Sequence, residues 1–261
     1  MDKTKENTDV RFHVRERYGN LALESSEAAA CCGPDCGCSS EDASGGSALY
    51  SSVELDTLPV SVTNLSLGCG NPVALASLQP GQVVVDLGSG GGIDCFLAAR
   101  QVGPTGKVIG IDMTPKMIDV ARSNQASMGV DNVEFRLGEI EHLPVSDQSV
   151  DVIISNCVIN LSPDKRQVLQ EAFRALRPGG RLAVSDVVAS EPLSEELKSD
   201  LSAWSCCLGG AIETQEFINL LEGAGFENIL IEEVDDVNEK EVAESSDAPV
   251  YQAYITAYRP A

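Results

Sequence analysis

VVVDLGSGGGID, residues 83–94, decides the fold. An apolar run ends in Asp86, a glycine-rich turn follows, and a helical pattern opens at Ile93. A continuous Val/Leu run suits a parallel strand buried on both faces. Gly88, Gly90 and Gly92 permit a tight turn and a close approach of ligand to backbone. A helix beginning there directs its first N–H groups at that ligand.

Outward from this turn, short Val/Ile/Leu runs alternate with helical patterns, the mark of βαβ units and a parallel sheet. The expected strands cover 82–87, 107–112, 133–137, 150–155 and 181–187, with late strands over 229–234 and 250–258. The expected helices cover 93–102, 115–128, 163–176, 194–207 and 214–222, with a short one inside 7–22. Pro115 follows Thr114 and Pro163 follows Ser162, each pairing a capping residue with a first-turn proline. Pro178-Gly179-Gly180 stops the third helix. Residues 23–48 are rich in Ala, Ser, Gly and Cys and read as a loop. The expected organisation is an N-terminal helix, cysteine-rich loop and substrate-site segment over 1–79, a Rossmann-like core over 80–190, and a lid insertion with closure of the sheet over 191–261.

The chain has 261 residues, 43% of them apolar, and a formal net charge of −22. Such acidity repels nucleic-acid backbones and anionic membrane surfaces, so neither is an expected partner. The N-terminal residues are charged throughout and lack the apolar segment of a signal peptide. No apolar run approaches the ~20 residues that span a bilayer. The expectation is a cytoplasmic monomer. In a reducing compartment, cysteines favour metal or catalytic roles over structural disulfides. There are nine here, an odd number that argues against a fully paired framework.

Asp86 directly precedes the glycine turn, where it would repel a pyrophosphate and suit a ligand with an ammonium or sulfonium end. That favours S-adenosylmethionine over a dinucleotide. Gly88, Ser89 and Gly90 of the turn form its cradle. Asp112 ends the second strand, about twenty residues on, where a carboxylate accepts ribose hydroxyls. Met113 follows and suits packing against adenine, and Glu139 lies in the turn after the third strand, a further candidate donor contact. The order of strand, acid, glycine turn, helix, strand and acid resembles a class I S-adenosylmethionine-dependent methyltransferase, whose fold is a seven-stranded mixed sheet. Asn156, after the fourth strand, is a further candidate contact for donor or substrate.

The methyl acceptor must be read elsewhere. There are only two histidines; His13 lies in the charged N-terminal segment and His142 reads as structural. Cysteines are abundant instead. Cys157 follows the fourth strand, at the carboxyl ends where ligands bind. Cys69 lies in the turn of LGCGNP, and Cys206 and Cys207 end the inserted helix. Cys95 reads as core, and Trp204 and Phe217 as packing.

LGCGNP, DLGSGGGID, SNCVINL, CCLGGA, the RERYG start and the early cysteine cluster together resemble the arsenite S-adenosylmethionine methyltransferases. The resemblance implies transfer of methyl groups to trivalent arsenic, as arsenite or a thiol conjugate, in arsenic detoxification. It implies arsenic binding by Cys69, Cys157 and Cys207, the last because it directly precedes Leu-Gly-Gly. A fourth functional cysteine of the family lies in the N-terminal loop, leaving Cys31, Cys32, Cys36 and Cys38 as redox candidates. The chemistry agrees: thiolates select a soft centre. The arsenic lone pair attacks the methyl group without a general base. Thioredoxin or a small thiol would reset a cysteine pair oxidised in the cycle. Adjacent Cys31 and Cys32 would pair only with strain, so pairing of either with Cys36 or Cys69 is expected. No structural metal is expected, because C-x₃-C-x-C lacks a second zinc half-site. Two alternatives stand beside this reading: methylation of a small organic acceptor, and an arsenic or metal sensor built on the same fold.

Overall fold

The computed structural model describes residues 3–24, 50, 58–63, 65, 68, 70–234 and 249–261. Cys31, Cys32, Cys36, Cys38 and Cys69 lie outside these described residues.

Seven strands form one sheet in the order β3-β2-β1-β4-β5-β7-β6. They are β1 (Val83–Leu87), β2 (Lys107–Asp112), β3 (Val133–Leu137), β4 (Val150–Asn156), β5 (Leu176–Ala189), β6 (Glu227–Glu233) and β7 (Val250–Tyr258). Strands β1 to β5 pair in parallel, whereas β7 pairs antiparallel to both β5 and β6. The order reverses between β2–β1 and β1–β4, which opens a crevice at the carboxyl ends.

The helices are α1 (Lys3–Glu24), α2 (Val60–Thr63), α3 (Pro72–Ala76), α4 (Ile93–Val102), α5 (Pro115–Met128), α6 (Lys165–Ala175), α7 (Glu195–Ser199), α8 (Leu201–Ser205) and α9 (Thr214–Ala224). A 3-10 turn covers Ile159–Leu161. Strand alternation divides the core between two faces. Val85, Leu87, Ile153 and Val184 pack with Val168, Leu169 and Phe217 of α6 and α9. Val84, Val152, Ile154 and Ala183 pack with Cys95, Phe96 and Ile118 of α4 and α5. No helix among the described residues is long and apolar enough to cross a membrane.

Three local expectations shift. The first turn of α6 is capped by Asp164, whose side chain accepts from the Gln167 N–H at 3.0 Å, not by Ser162 with Pro163. Asp caps as well as Ser and stands two residues closer to the apolar repeat Val168, Leu169, Ala172. Pro178-Gly179-Gly180 lies within β5 as an irregularity in its register with β4, and α6 ends before it at Ala175. The helix expected over 194–207 is broken into α7 and α8 at Asp200, which accepts from the Ser202 N–H at 2.8 Å and restarts the helix.

The segment after α8 presses on the 3-10 turn. A Cβ placed at Gly210 would overlap the Asn160 carbonyl oxygen and crowd the Trp204 ring. Backbone cannot rotate aside as a side chain can. Gly210→Ala is therefore expected to cost about 1–3 kcal/mol, read as a lowered midpoint in chemical denaturation with an unchanged slope.

Candidate functional site

The glycine turn closes tightly on β2. The Gly88 and Ser89 N–H groups both donate to the Ile111 carbonyl, at 2.8 and 3.0 Å. Gly88 has φ +71°, and a Cβ there would overlap Val158, so only glycine suits this position. The Gly90 N–H donates to Asp112 Oδ2 at 3.0 Å, and the Thr114 N–H to Asp112 Oδ1 at 2.8 Å. The turn and the end of β2 are thus one braced unit.

Beside it lies a cavity lined by Gly88, Ser89, Gly90, Asp94, Asp112, Met113, Asn156 and Cys157, and covered by Arg11, Val14 and Tyr18 of α1. Two features fit a polar ligand. A Cβ at Gly90 would meet nothing, so the backbone there is open. Ser89 Oγ is buried with no hydrogen-bond partner among the described residues, a costly state unless a ligand supplies one.

Asp86 and Glu139, expected at the cavity, do not line it. Alternation puts Asp86 on the face of Val84, toward α4, where Cys95 Sγ donates to its Oδ2 at 3.2 Å. Burial, then the nearby Asp94 charge, pushes the Asp86 carboxyl well up, and burial likewise raises the Cys95 thiol. Glu139 turns to α1, meeting Arg15 at 3.0 Å and Arg11 at 3.5 Å. Arg11 also reaches Glu141, itself buried and accepting from Ser162 Oγ at 2.6 Å. These pairs hold α1 over the cavity.

Sequence reasoning missed Asp94 and Tyr50. Asp94 lies in the first turn of α4 and lines the cavity. Tyr50 Oη donates to its Oδ1 at 3.0 Å, and Asn156 Nδ2 to its Oδ2 at 3.2 Å. Asn156 Nδ2 also donates to the Gly70 carbonyl at 2.6 Å. Burial, then the Asp94 charge, raises the Tyr50 phenol, which keeps it a donor. A signal for Asp94 was present: an acid two residues past Gly92, at a helix N-terminus.

The cysteine end lies where β4 and β5 finish. Cys157 is buried, with φ +54°, and its N–H donates to the Ser185 carbonyl at 2.8 Å. Cys207, just after α8, is buried with φ +63°. Five non-glycine residues among those described have positive φ, and two of them, Cys157 and Cys207, meet here. Cys207 Sγ donates to the Cys157 carbonyl at 2.9 Å. The sulfurs of Cys157 and Cys207 and a carboxylate oxygen of Asp186 all lie within 4.8 Å of one another. Cys157 is disulfide-bonded, whereas Cys95, Cys206 and Cys207 are thiols. The pairings expected of Cys31 or Cys32 with Cys36 or Cys69 lie outside the described residues.

Behind the thiols lie two buried ionisable groups. Lys165 Nζ donates to the carbonyls of Ser162 and Asn160 at 3.0 and 3.3 Å and stands 5.0 Å over the Trp204 ring. Burial lowers its pKa to about 8. Asp186 accepts from the Val187 N–H at 2.9 Å and the Asn160 N–H at 3.3 Å. Burial raises its pKa to about 7 against these bonds. Cys206 is only half-buried, with Arg17 Nη2 3.6 Å from its sulfur. Gly68 and Gly70 leave no room for a Cβ against Asn156 and Ser185, so both pack on the ends of β4 and β5.

Residues 78–225 match the family described as Methyltransferase domain. An arsenite methyltransferase of Halobacterium salinarum is 46% identical over 240 residues, which is 88% of this chain and 61% of the relative. The human arsenite methyltransferase is 43% identical over 152 residues, 55% of this chain and 40% of that one. The chain thus spans about half the length of the curated relatives it matches. Among solved structures, an arsenic(III) S-adenosylmethionine methyltransferase from Chlamydomonas reinhardtii superposes with a TM-score of 0.68 at 36% identity, covering 80% of this chain and 73% of that one.

Proposed function

The chain belongs to the methyltransferase-domain family, in its arsenite methyltransferase branch, and we propose that it transfers methyl groups from S-adenosylmethionine to trivalent arsenic held by cysteine thiolates. One juxtaposition carries this reading. Cys157 lines the cavity beneath the glycine turn, and its sulfur lies within 4.8 Å of that of Cys207.

The donor, when bound, supplies an electrophilic methyl group on a sulfonium sulfur. The chain's part is to hold and orient. The open backbone at Gly90 and the unpartnered Ser89 hydroxyl receive polar groups of the donor. Asp112, already fixed by the Gly90 and Thr114 N–H groups, accepts the ribose hydroxyls. Asp94, held by Tyr50 and Asn156, presents a carboxylate to the cationic end. That assigns to Asp94 the role expected from sequence for Asp86.

On the acceptor side, Cys157 and Cys207, with Cys69, bind arsenic(III) and leave its lone pair directed at the methyl group. Alignment at ~3–3.5 Å of the reacting atoms is the main catalytic effect. Burial of both sulfurs excludes water from a step that annihilates charge. The attack raises arsenic formally to the pentavalent state. Two cysteine thiols return it to trivalent by giving up two electrons and two protons and forming a disulfide. A dithiol reductant of the thioredoxin type or a small thiol then reopens that disulfide.

Trp204, the single tryptophan, stands three residues before Cys207 in the lid. Arsenite added to the reduced protein is expected to change its fluorescence saturably, and Cys207→Ser to remove the change. Emission indifferent to arsenite would contradict arsenic binding at this lid.

A further inference from the structure

Three thiolates satisfy arsenic(III), which is pyramidal and uses no carboxylate. Yet a buried carboxylate, that of Asp186, stands within 4.8 Å of both sulfurs. We propose that Cys157, Asp186 and Cys207, once Cys157 is reduced, form a binding site for a thiophilic divalent cation of the zinc or cadmium type, which occupies the arsenic pocket and blocks it.

Donor set and spacing both suit such an ion. Two cysteines and one aspartate leave a fourth tetrahedral position for water. With zinc–sulfur near 2.3 Å and zinc–oxygen near 2.1 Å, ligand atoms of a tetrahedral ion stand about 3.6–3.8 Å apart. The triad, within 4.8 Å throughout, reaches that by closing about 1 Å at most. The carboxylate is already oriented by the Val187 and Asn160 N–H groups, as ligating carboxylates usually are.

Charge counting agrees. Two thiolates, the Asp186 carboxylate and the Lys165 ammonium, which interacts with both Asp186 and Cys207, sum to −2. A divalent cation brings the buried cluster to neutrality. With arsenic(III) and three thiolates the centre is neutral by itself, and Asp186 and Lys165 balance each other. The pocket can therefore hold either occupant without a net buried charge, but only the divalent ion needs Asp186. Binding releases the two thiol protons to solvent.

The test uses the full chain. A phosphine reductant opens the Cys157 disulfide, taking its oxygen from water to become phosphine oxide and leaving two thiols. The protein is then freed of reductant anaerobically and titrated with cadmium alone. The expected result is a saturable thiolate-to-cadmium absorption, of which one equivalent is lost in Cys157→Ser. X-ray absorption of that equivalent should show sulfur together with oxygen. Asp186→Asn should remove the oxygen and weaken cadmium at least about tenfold more than it weakens arsenite. A sulfur-only shell, or cadmium affinity indifferent to Asp186→Asn, would overturn the proposal, as would no cadmium equivalent dependent on Cys157. If Asp186→Asn does not fold, the wild-type spectrum decides alone. Arsenic methylation by the same cadmium-free preparation reports separately on the proposed function, so either reading can fail without the other.

Discussion

Replacing Cys207 with serine is expected to lower arsenic methylation at least about a hundredfold, the cost of even a 1 Å misplacement of a reacting atom. An alcohol is a hard donor and does not hold a soft centre. The fold should survive, because serine keeps a donor for the Cys157 carbonyl that the thiol now reaches at 2.9 Å. Donor affinity should also survive, since Cys207 does not line the donor cavity. Steady-state rates with arsenite, set beside calorimetry with S-adenosylmethionine, separate the two effects. Cys206→Ser is the internal control: its sulfur is half-buried and faces Arg17. Retention of more than half the wild-type rate by Cys207→Ser would remove this residue from the arsenic site.

The second large effect is expected at Gly88. Alanine there takes on a left-handed backbone at φ +71° and pushes its Cβ into Val158. The conformational cost is about 1–2 kcal/mol, and the overlap adds about 1–3 kcal/mol. At about 2–4 °C per kcal/mol for a domain of this size, the melting temperature should fall by roughly 4–20 °C. Donor affinity should fall with it, because the Gly88 and Ser89 N–H groups anchor the turn to β2. Shortening the opposing side chain with Val158→Ala should recover part of the stability but not the backbone share. Gly88→Ala melting at the wild-type temperature would show that the turn is not the tight unit described.

The part of the cavity lining built on local pattern was legible in the sequence. A buried strand, a glycine turn and a strand-ending acid are near neighbours in the chain, so Gly88, Ser89, Gly90 and Asp112 could be named from spacing. Cys157 was legible for a related reason: it directly follows a parallel strand, and carboxyl ends face the crevice. For Asp86 the position before the turn was readable but the face was not. One residue of alternation turns it toward Cys95. The residues that were not legible are those made neighbours only by packing. Asp186 is an interior residue of β5, and Lys165 opens a helix 21 positions earlier, yet Lys165 interacts with both Asp186 and Cys207. Tyr50 reaches Asp94 and Asn156 across 44 and 106 positions of chain. No periodicity records such contacts. The break between α7 and α8 escaped notice because Asp200 reads as an ordinary polar residue on a helix until its side chain is seen to cap the next one.

The central claim is that this pocket methylates arsenic. The measurement that meets it most directly is incubation of the reduced protein with arsenite, S-adenosylmethionine and a dithiol, followed by separation of the arsenic species and of S-adenosylhomocysteine. The account predicts methylated arsenic, with S-adenosylhomocysteine formed in equal amount per methyl group. Protein that binds S-adenosylmethionine yet forms no methylated arsenic under full reduction would contradict it.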